Sequence, residues 1–431
     1  MFGVIEVSVA FALMLGLLLI GMPIAAVMMA VGVGGGVLAF GWPLIDSVGS
    51  VVWGAQNENV LTAIPLFILM GELLLRSGIA DRMYTALAAW LGRLPGGLIH
   101  TNIGACALFA ATSGSSVATA ATIGTVALPA LKERGYSPRQ SLGSLAAGGT
   151  LGILIPPSVA LLVYGSITNN SIGKLFIAGI VPGILLTLCF MLYILVSNLR
   201  AGSGPGEAGV PLAEKLAQLK FMVPPLVIFA IVMGSIYFGF ATPTESAALG
   251  VVASMAFGAL GRRLTWAVLV HCFTRTAELT GMILLIIVGS FILNVTLSLL
   301  GVPQVMTQWV GSLGIGPTEL LVALVIFYLI LGCFLEVLSM QVATIPIAYP
   351  IVTAVGVDPI WFGIFIVLMS EIAMITPPVG MNLYVVQGVR QDGGPISDVM
   401  RGIVPYVVIM LAFTGLLIAW PELATWLPSH M

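Results

Sequence analysis

The sequence predicts an all-α polytopic membrane protein built as an inverted repeat, with five spans and one re-entrant hairpin in each copy. Three observations predict it. First, 59% of the 431 residues are apolar and 7% are charged, with mean hydropathy +1.14. A soluble domain carries about a quarter of its residues as charges. The apolar runs have helix length, not the ~10-residue alternation of barrel strands. Second, an ordered series of residues is written twice. Pro129, Gly135, Pro138, Pro156 and Pro157 recur as Pro350, Gly356, Pro359, Pro377 and Pro378, at a constant offset of 221. "WLGRL" (90–94) returns as "WVGSL" (309–313), "GIVP" (179–182) returns at 402–405, and Pro23 in "GMPIAA" pairs with Pro243 in "ATPTES". Third, Lys and Arg occupy different loops in the two copies, and cytoplasmic loops collect them.

Taken in order, copy one (1–199) reads as spans at 4–20, 23–41 and 60–76, a hairpin at 95–131, and spans at 140–170 and 175–199. The run from residue 4 leads through Gly21-Met22-Pro23 straight into a second run, so it reads as a span and not a removable signal. Segment 95–131 lies between two basic loops, one with Arg76, Arg82 and Arg93, the other with Lys132, Arg134 and Arg139. Both flanks are then cytoplasmic, so the segment enters and returns, turning at "ATSGSSVAT". Two short full spans are the alternative. The seam is a polar cytoplasmic linker at 200–220. Copy two (221–431) gives spans at 221–240, 244–260 and 281–300, a hairpin at 317–352, and spans at 359–388 and 403–420. Residues 264–280, with His271, Arg275 and Glu278, read as an interfacial arm. Its loops at 300–316 and 353–359 hold no Lys or Arg, whereas Arg390 and Arg401 sit at its end. The copies therefore face opposite ways, and both termini lie outside the cytoplasm.

Two diproline stretches carry the functional reading. In an α-helix, the N–H of residue i bonds the carbonyl of residue i−4. Pro156 and Pro157 withhold that donor from Gly152 and Ile153, and Pro377 and Pro378 withhold it from Ala373 and Met374. Unpaired carbonyls in hydrocarbon cost several kcal/mol each and persist where something else binds them. A helix broken at mid-membrane offers a negative end, suited to Na+ or H+, and a positive end, suited to a carboxylate. Polar residues gather at the breaks: Thr150 and Ser158 at the first, Thr376, Gly380 and Asn382 at the second. The tip Ser113-Gly114-Ser115-Ser116 is expected to meet the first break, and the tip around Glu336, Ser339, Gln341 and Thr344 the second. The plainer alternative is a pair of kinked helices whose serines bond back to carbonyls.

Five charged residues lie at membrane depth. Glu245 reads as a helix cap. Glu72 pairs with Arg76 at i+4. Glu336 sits at a tip, and Glu371 reads as a cation or proton site or an Arg partner. Arg275 either reaches an anionic substrate or snorkels to the interface. The four cysteines stand singly without metal spacing. None of His100, His271 and His430 falls at a break or tip, which argues against serine catalysis, and a channel would need a continuous pore. So few charges give no reason to expect a nucleic-acid partner.

"ATSGSSVATAATIGTVALPAL" (111–131), "GGTLGILIPPSVALLVYG" (148–165), "ATPTESAALG" (241–250) and "MITPPVGMNLYVV" (374–386) resemble the large membrane subunit of tripartite ATP-independent periplasmic (TRAP) transporters. The resemblance implies an elevator-type ion transporter fold in the bacterial inner membrane. It implies a Na+-coupled importer of small organic acids such as C4-dicarboxylates or sialic acid, with Na+ as coupling ion and no other cofactor. It also implies two partners: a periplasmic substrate-binding protein, and a small membrane subunit that would be a separate polypeptide. One Na+ site would use Ser113, Gly114, Ser115 and Ser116 with Gly152, Ile155, Pro157 and Ser158. The other would use Glu336 and Ser339 with Ala373, Thr376, Pro378 and Gly380. Substrate would be held by Ser116, Thr150, Ser158, Met381 and Asn382, with Arg275. The second tip, "FLEVLSMQVAT", departs from the Gly/Ser-rich first. A carrier that needs no binding protein, of the divalent anion–sodium symporter type, shares the repeat logic and is the alternative.

Overall fold

A computed structural model describes residues 4–200 and 211–431, so linker residues 201–210 lie outside the described residues. Among the described residues there is no strand. The first half contains α1 (Val4–Leu19), α2 (Ile24–Phe40), α3 (Pro43–Gln56), α4 (Ala63–Arg76), α5 (Ile79–Leu91), α6 (Leu98–Ser113), α7 (Ser116–Glu133), α8 (Pro138–Leu154), α9 (Val159–Thr168) and α10 (Ile172–Arg200). After the linker come α11 (Leu212–Gln218), α12 (Val223–Tyr237), α13 (Pro243–Leu260), α14 (Trp266–Leu299), α15 (Val302–Ser312) and α16 (Pro317–Gly332). The chain ends with α17 (Val337–Ala354), α18 (Pro359–Ile375), α19 (Met381–Val389), α20 (Ser397–Ala419) and α21 (Glu422–Thr425).

Helix starts follow local chemistry. Proline occupies the first turn of α8, α13 and α18, where its missing N–H costs nothing. Asp358 caps α18 by accepting from Trp361 N at 2.8 Å. Glu245 is a cap, as its sequence position suggests: it and Thr242 form a reciprocal capping box on α13.

Two long buried helices organise the packing. α8 is buried throughout Ser141–Leu154, and α18 throughout Trp361–Ile375. Helices α6, α7 and α20 pack on α8, while α16, α17 and α10 pack on α18. The half-helices cross over, α9 lying on α17 and α19 on α7. Outside this group, α2 packs along α14 and α13 along α4. The pairings are reciprocal between the two halves of the chain.

The broken helices run in opposite directions. Lys132, Tyr136 and Pro138, at the start of α8, share a small cavity with Arg390 and Asp392, just past α19. At the far end, Tyr164 OH on α9 donates to the Pro359 carbonyl that starts α18, at 2.6 Å. The hairpin α6–α7 begins and ends beside the start of α8, because Leu98 N donates to Tyr136 OH at 3.1 Å. Basic residues of both halves gather at this end. Asp398 takes Arg139 at 3.5 Å and Arg390 at 3.1 Å, and Arg390 also pairs with Asp392. That guanidinium holds the Asp392 carboxyl below the usual carboxylate range. Arg82 lies over the Phe221 ring, and Lys215 over the Trp90 ring.

The structure departs from the sequence reading in four places. Helix α3 was not expected at all. α5 and α15 replace two segments read as loops. The interfacial arm at 264–280 is not separate, because α14 continues unbroken through it for 34 residues. At 1.5 Å per residue it is ~51 Å long, well beyond a ~30 Å hydrocarbon core. Finally, against five spans per copy, six segments among the described residues are long and apolar enough to cross a membrane, or up to eight if each bent pair is one span. The remainder, such as Ile24–Phe40, are apolar helices cut short by glycine and proline.

Candidate functional site between two hairpin tips and two helix breaks

The first tip is a two-residue turn, Gly114-Ser115, between α6 and α7. Gly114 adopts φ +62°, and a Cβ there would stand 2.9 Å from the Pro157 carbonyl oxygen. Only glycine suits both the left-handed backbone and that approach. Ser115 caps α7, its Oγ accepting from Ala118 N at 3.3 Å, and Ser113 Oγ lies 2.8 Å from Thr119 Oγ1. Gly152 on α8 lies directly under the tip, since its Cβ would be 2.7 Å from Ser115 O and Ser116 Cα. Across the break, Ser158 caps α9 by accepting from Leu161 N at 3.3 Å. Both prolyl bonds, Pro156-Pro157 and Pro377-Pro378, are cis.

The second tip is capped differently. Glu336 Oε1 accepts from Ser339 N at 2.8 Å and from Ser339 Oγ at 2.9 Å, closing the start of α17. Gly332, at the end of α16, packs against Ala373 of α18. Gly380 restarts the chain after the break and abuts the Met374 carbonyl, while Pro378 O accepts from Tyr384 OH at 3.3 Å.

One cavity of about 200 Å³ joins these parts. Ser113, Gly114, Ser115 and Ser116 line it from the first tip, Glu336 and Val337 from the second. Ile153 and Val159 line it from the first break, Met374 and Met381 from the second. Its outer wall is Gly71 and Glu72 of α4 with Leu279 and Met282 of α14. The wall is thus made of helix ends. The C-termini of α6, α8 and α18 face it, and so do the N-termini of α7, α9, α17 and α19. C-terminal ends present negative dipole to a cation, and N-terminal ends present donors to an anion.

Several expected positions lie elsewhere. Arg275 is exposed on α14 and paired with Glu278 at 3.0 Å, outside the cavity. Thr150 turns away: its Oγ1 donates to Ala147 O at 2.6 Å and faces Met410 of α20. The Ile155 side chain packs on Gly183 of α10. The Ala373 carbonyl, expected free, accepts from Thr376 N at 3.3 Å, because the chain tightens before the prolines. Thr376 Oγ1 donates to Ile372 O at 2.6 Å. Asn382 is fully buried behind the cavity wall.

Two acidic side chains, Glu72 read as the partner of Arg76 and Glu371 read as a cation or proton site or an Arg partner, take the following places. Glu72 lines the cavity and holds Arg76 only loosely, at 3.9 Å. Glu371 has no Arg partner among the described ion pairs, and instead accepts from Ser116 Oγ at 2.5 Å.

Residues 11–423 match the family model described as the DctM component of tripartite ATP-independent periplasmic transporters. The chain is 36% identical over 397 residues to the C4-dicarboxylate TRAP transporter large permease protein DctM of Pseudomonas aeruginosa, covering 92% of each. It is 30% identical over 419 residues to the sialic acid TRAP transporter large permease protein SiaM of Vibrio cholerae, covering 96% of each. Its fold is similar to that of the Alcanivorax borkumensis YdaH transporter, with TM-score 0.65 and 15% identity over 94% of this chain and 98% of that one.

Proposed function

Because the chain belongs to the DctM-component family of tripartite ATP-independent periplasmic transporters, a family of transport permeases and not enzymes, we propose that it is the permease of a Na+-coupled importer of small organic acids. The observation that carries this reading is the single cavity walled by opposed helix ends. Cations are favoured at the C-terminal ends of α6, α8 and α18, beside the hydroxyls and carbonyls of the first tip. A carboxylate is favoured at the N-terminal ends of α7, α9, α17 and α19. The relatives named for C4-dicarboxylates and for sialic acid support an acidic substrate. The cavity's 200 Å³ is below the roughly 300–1,000 Å³ of drug-sized pockets and suits a small one.

The antiparallel broken helices and the basic residues of both halves at one end support an inverted repeat in the inner membrane, with that end cytoplasmic and both termini periplasmic. The group around α8 and α18 would move as a unit against the α2–α14 and α4–α13 framework. A small membrane subunit and a periplasmic binding protein complete the importer. Reconstituted with both partners, the chain takes up substrate when an inward Na+ gradient is imposed. Equal uptake in its absence, or by the chain alone, refutes the reading.

A further inference from the structure

Behind the first tip lies a second group of polar atoms, outside the cavity's lining. Glu371 of α18 and Asn382 of α19 are both 0% exposed. Glu371 Oε1 accepts from Ser116 Oγ, but Oε2 has no partner, and neither atom of the Asn382 amide has one. The two side chains approach Ser116 from different helices. A Cβ on Gly149 would stand 3.2 Å from Asn382 Nδ2 and 3.3 Å from the Ser116 carbonyl oxygen, so the amide borders the first turn of α7. Gly149 lets α7 and α19 approach this closely, since its Cβ would also stand 2.8 Å from the Ala120 Cβ.

A buried carboxylate without a counter-charge costs far more than a protein's interior supplies elsewhere. Orphan buried amides are also rare, since each forfeits one or more hydrogen bonds. The unpaired oxygens of both side chains share one remedy. Carboxylate, hydroxyl and amide oxygens are hard ligands of the kind that alkali and alkaline-earth cations take. A single carboxylate balances one positive charge, which favours a monovalent ion over a divalent one. We propose that Ser116, Glu371 and Asn382 form a further binding site for one Na+, behind the tip, which borders the first tip-and-break site through Ser116 and is separate from the second. The site rests on the sodium-coupled reading above. It draws a tip from one half of the chain and a broken helix from the other, so its occupancy ties the two together.

The test is equilibrium ²²Na+ binding to the purified full chain, with choline replacing Na+ at constant ionic strength. Glu371→Gln keeps the shape and the acceptor for Ser116 but removes the charge. It is expected to bind one ion fewer per chain. Asn382→Ala is expected to keep the count and weaken one ion at least about tenfold, the scale of one lost contact to a charged group. Glu371→Gln binding as many ions as tightly as wild type overturns the proposal. Should that variant not fold, unchanged affinity in Asn382→Ala overturns it alone. A wild-type chain that binds no Na+ at all defeats the sodium-coupled reading itself, which distinguishes the two failures.

Discussion

Ser115 and Ser158 each serve twice, as helix caps and as hydroxyls at the first tip and break. Replacing either by Ala removes a cap, about 1 kcal/mol of local stability, and an oxygen from the proposed first ion site. Uptake measured against Na+ concentration is expected to need several-fold more Na+ in both variants. An unchanged Na+ curve in both removes that site. Arg275→Ala is expected to leave substrate affinity unchanged, since the side chain is paired outside the cavity. The tip residues were legible in the sequence because Gly, Ser and Pro have conformational signatures of their own. Glu72 and its Arg76 partner were legible at i+4, whereas Glu371 was visible as a buried acid but its Ser116 partner was not. α18 is buried on every side, so no stripe of polarity says which way residue 371 points.

At the level of elements, both breaks could be read in advance, because a proline cannot supply the N–H that a helix needs, and the first hairpin from its two basic flanks and its Gly/Ser tip. Helix α3 escaped notice for lack of a long apolar run. The unbroken α14 was misread because Arg275 and Glu278 suggested an interruption, although polar side chains on an exposed face do not stop a helix. The fit of tip to break is the part most sensitive to bulk. Gly152→Val places carbons where Ser115 and Ser116 already stand. It is expected to cut uptake more than tenfold and to lower the thermal unfolding midpoint. Overpacking of this kind costs about 1–3 kcal/mol. Gly234→Ala on α12, with nothing within 4 Å, is the matched control and is expected to behave as wild type.

Across the whole molecule, the pairing of α2 with α14 and of α4 with α13 weaves the two halves into one framework. The proposed orientation is checked by cysteine labelling in a background lacking the four native cysteines. Lys132→Cys and Arg390→Cys are expected to react from the cytoplasmic side, and Asn170→Cys from the opposite side. Labelling of Lys132→Cys and Arg390→Cys from different sides contradicts the inversion. The repeat was legible from its prolines. The reciprocal weaving was not, because apolar surfaces carry no record of which neighbour they meet. One property of the chamber decides the order of events within it. Among the described residues lining it, Glu72 and Glu336 are the charged ones, and no base stands opposite them. On the proposed reading, a bare chamber therefore turns away the anion it would carry. On that reading the welcome changes sign only once sodium settles, and that order would keep cargo and ion from travelling apart.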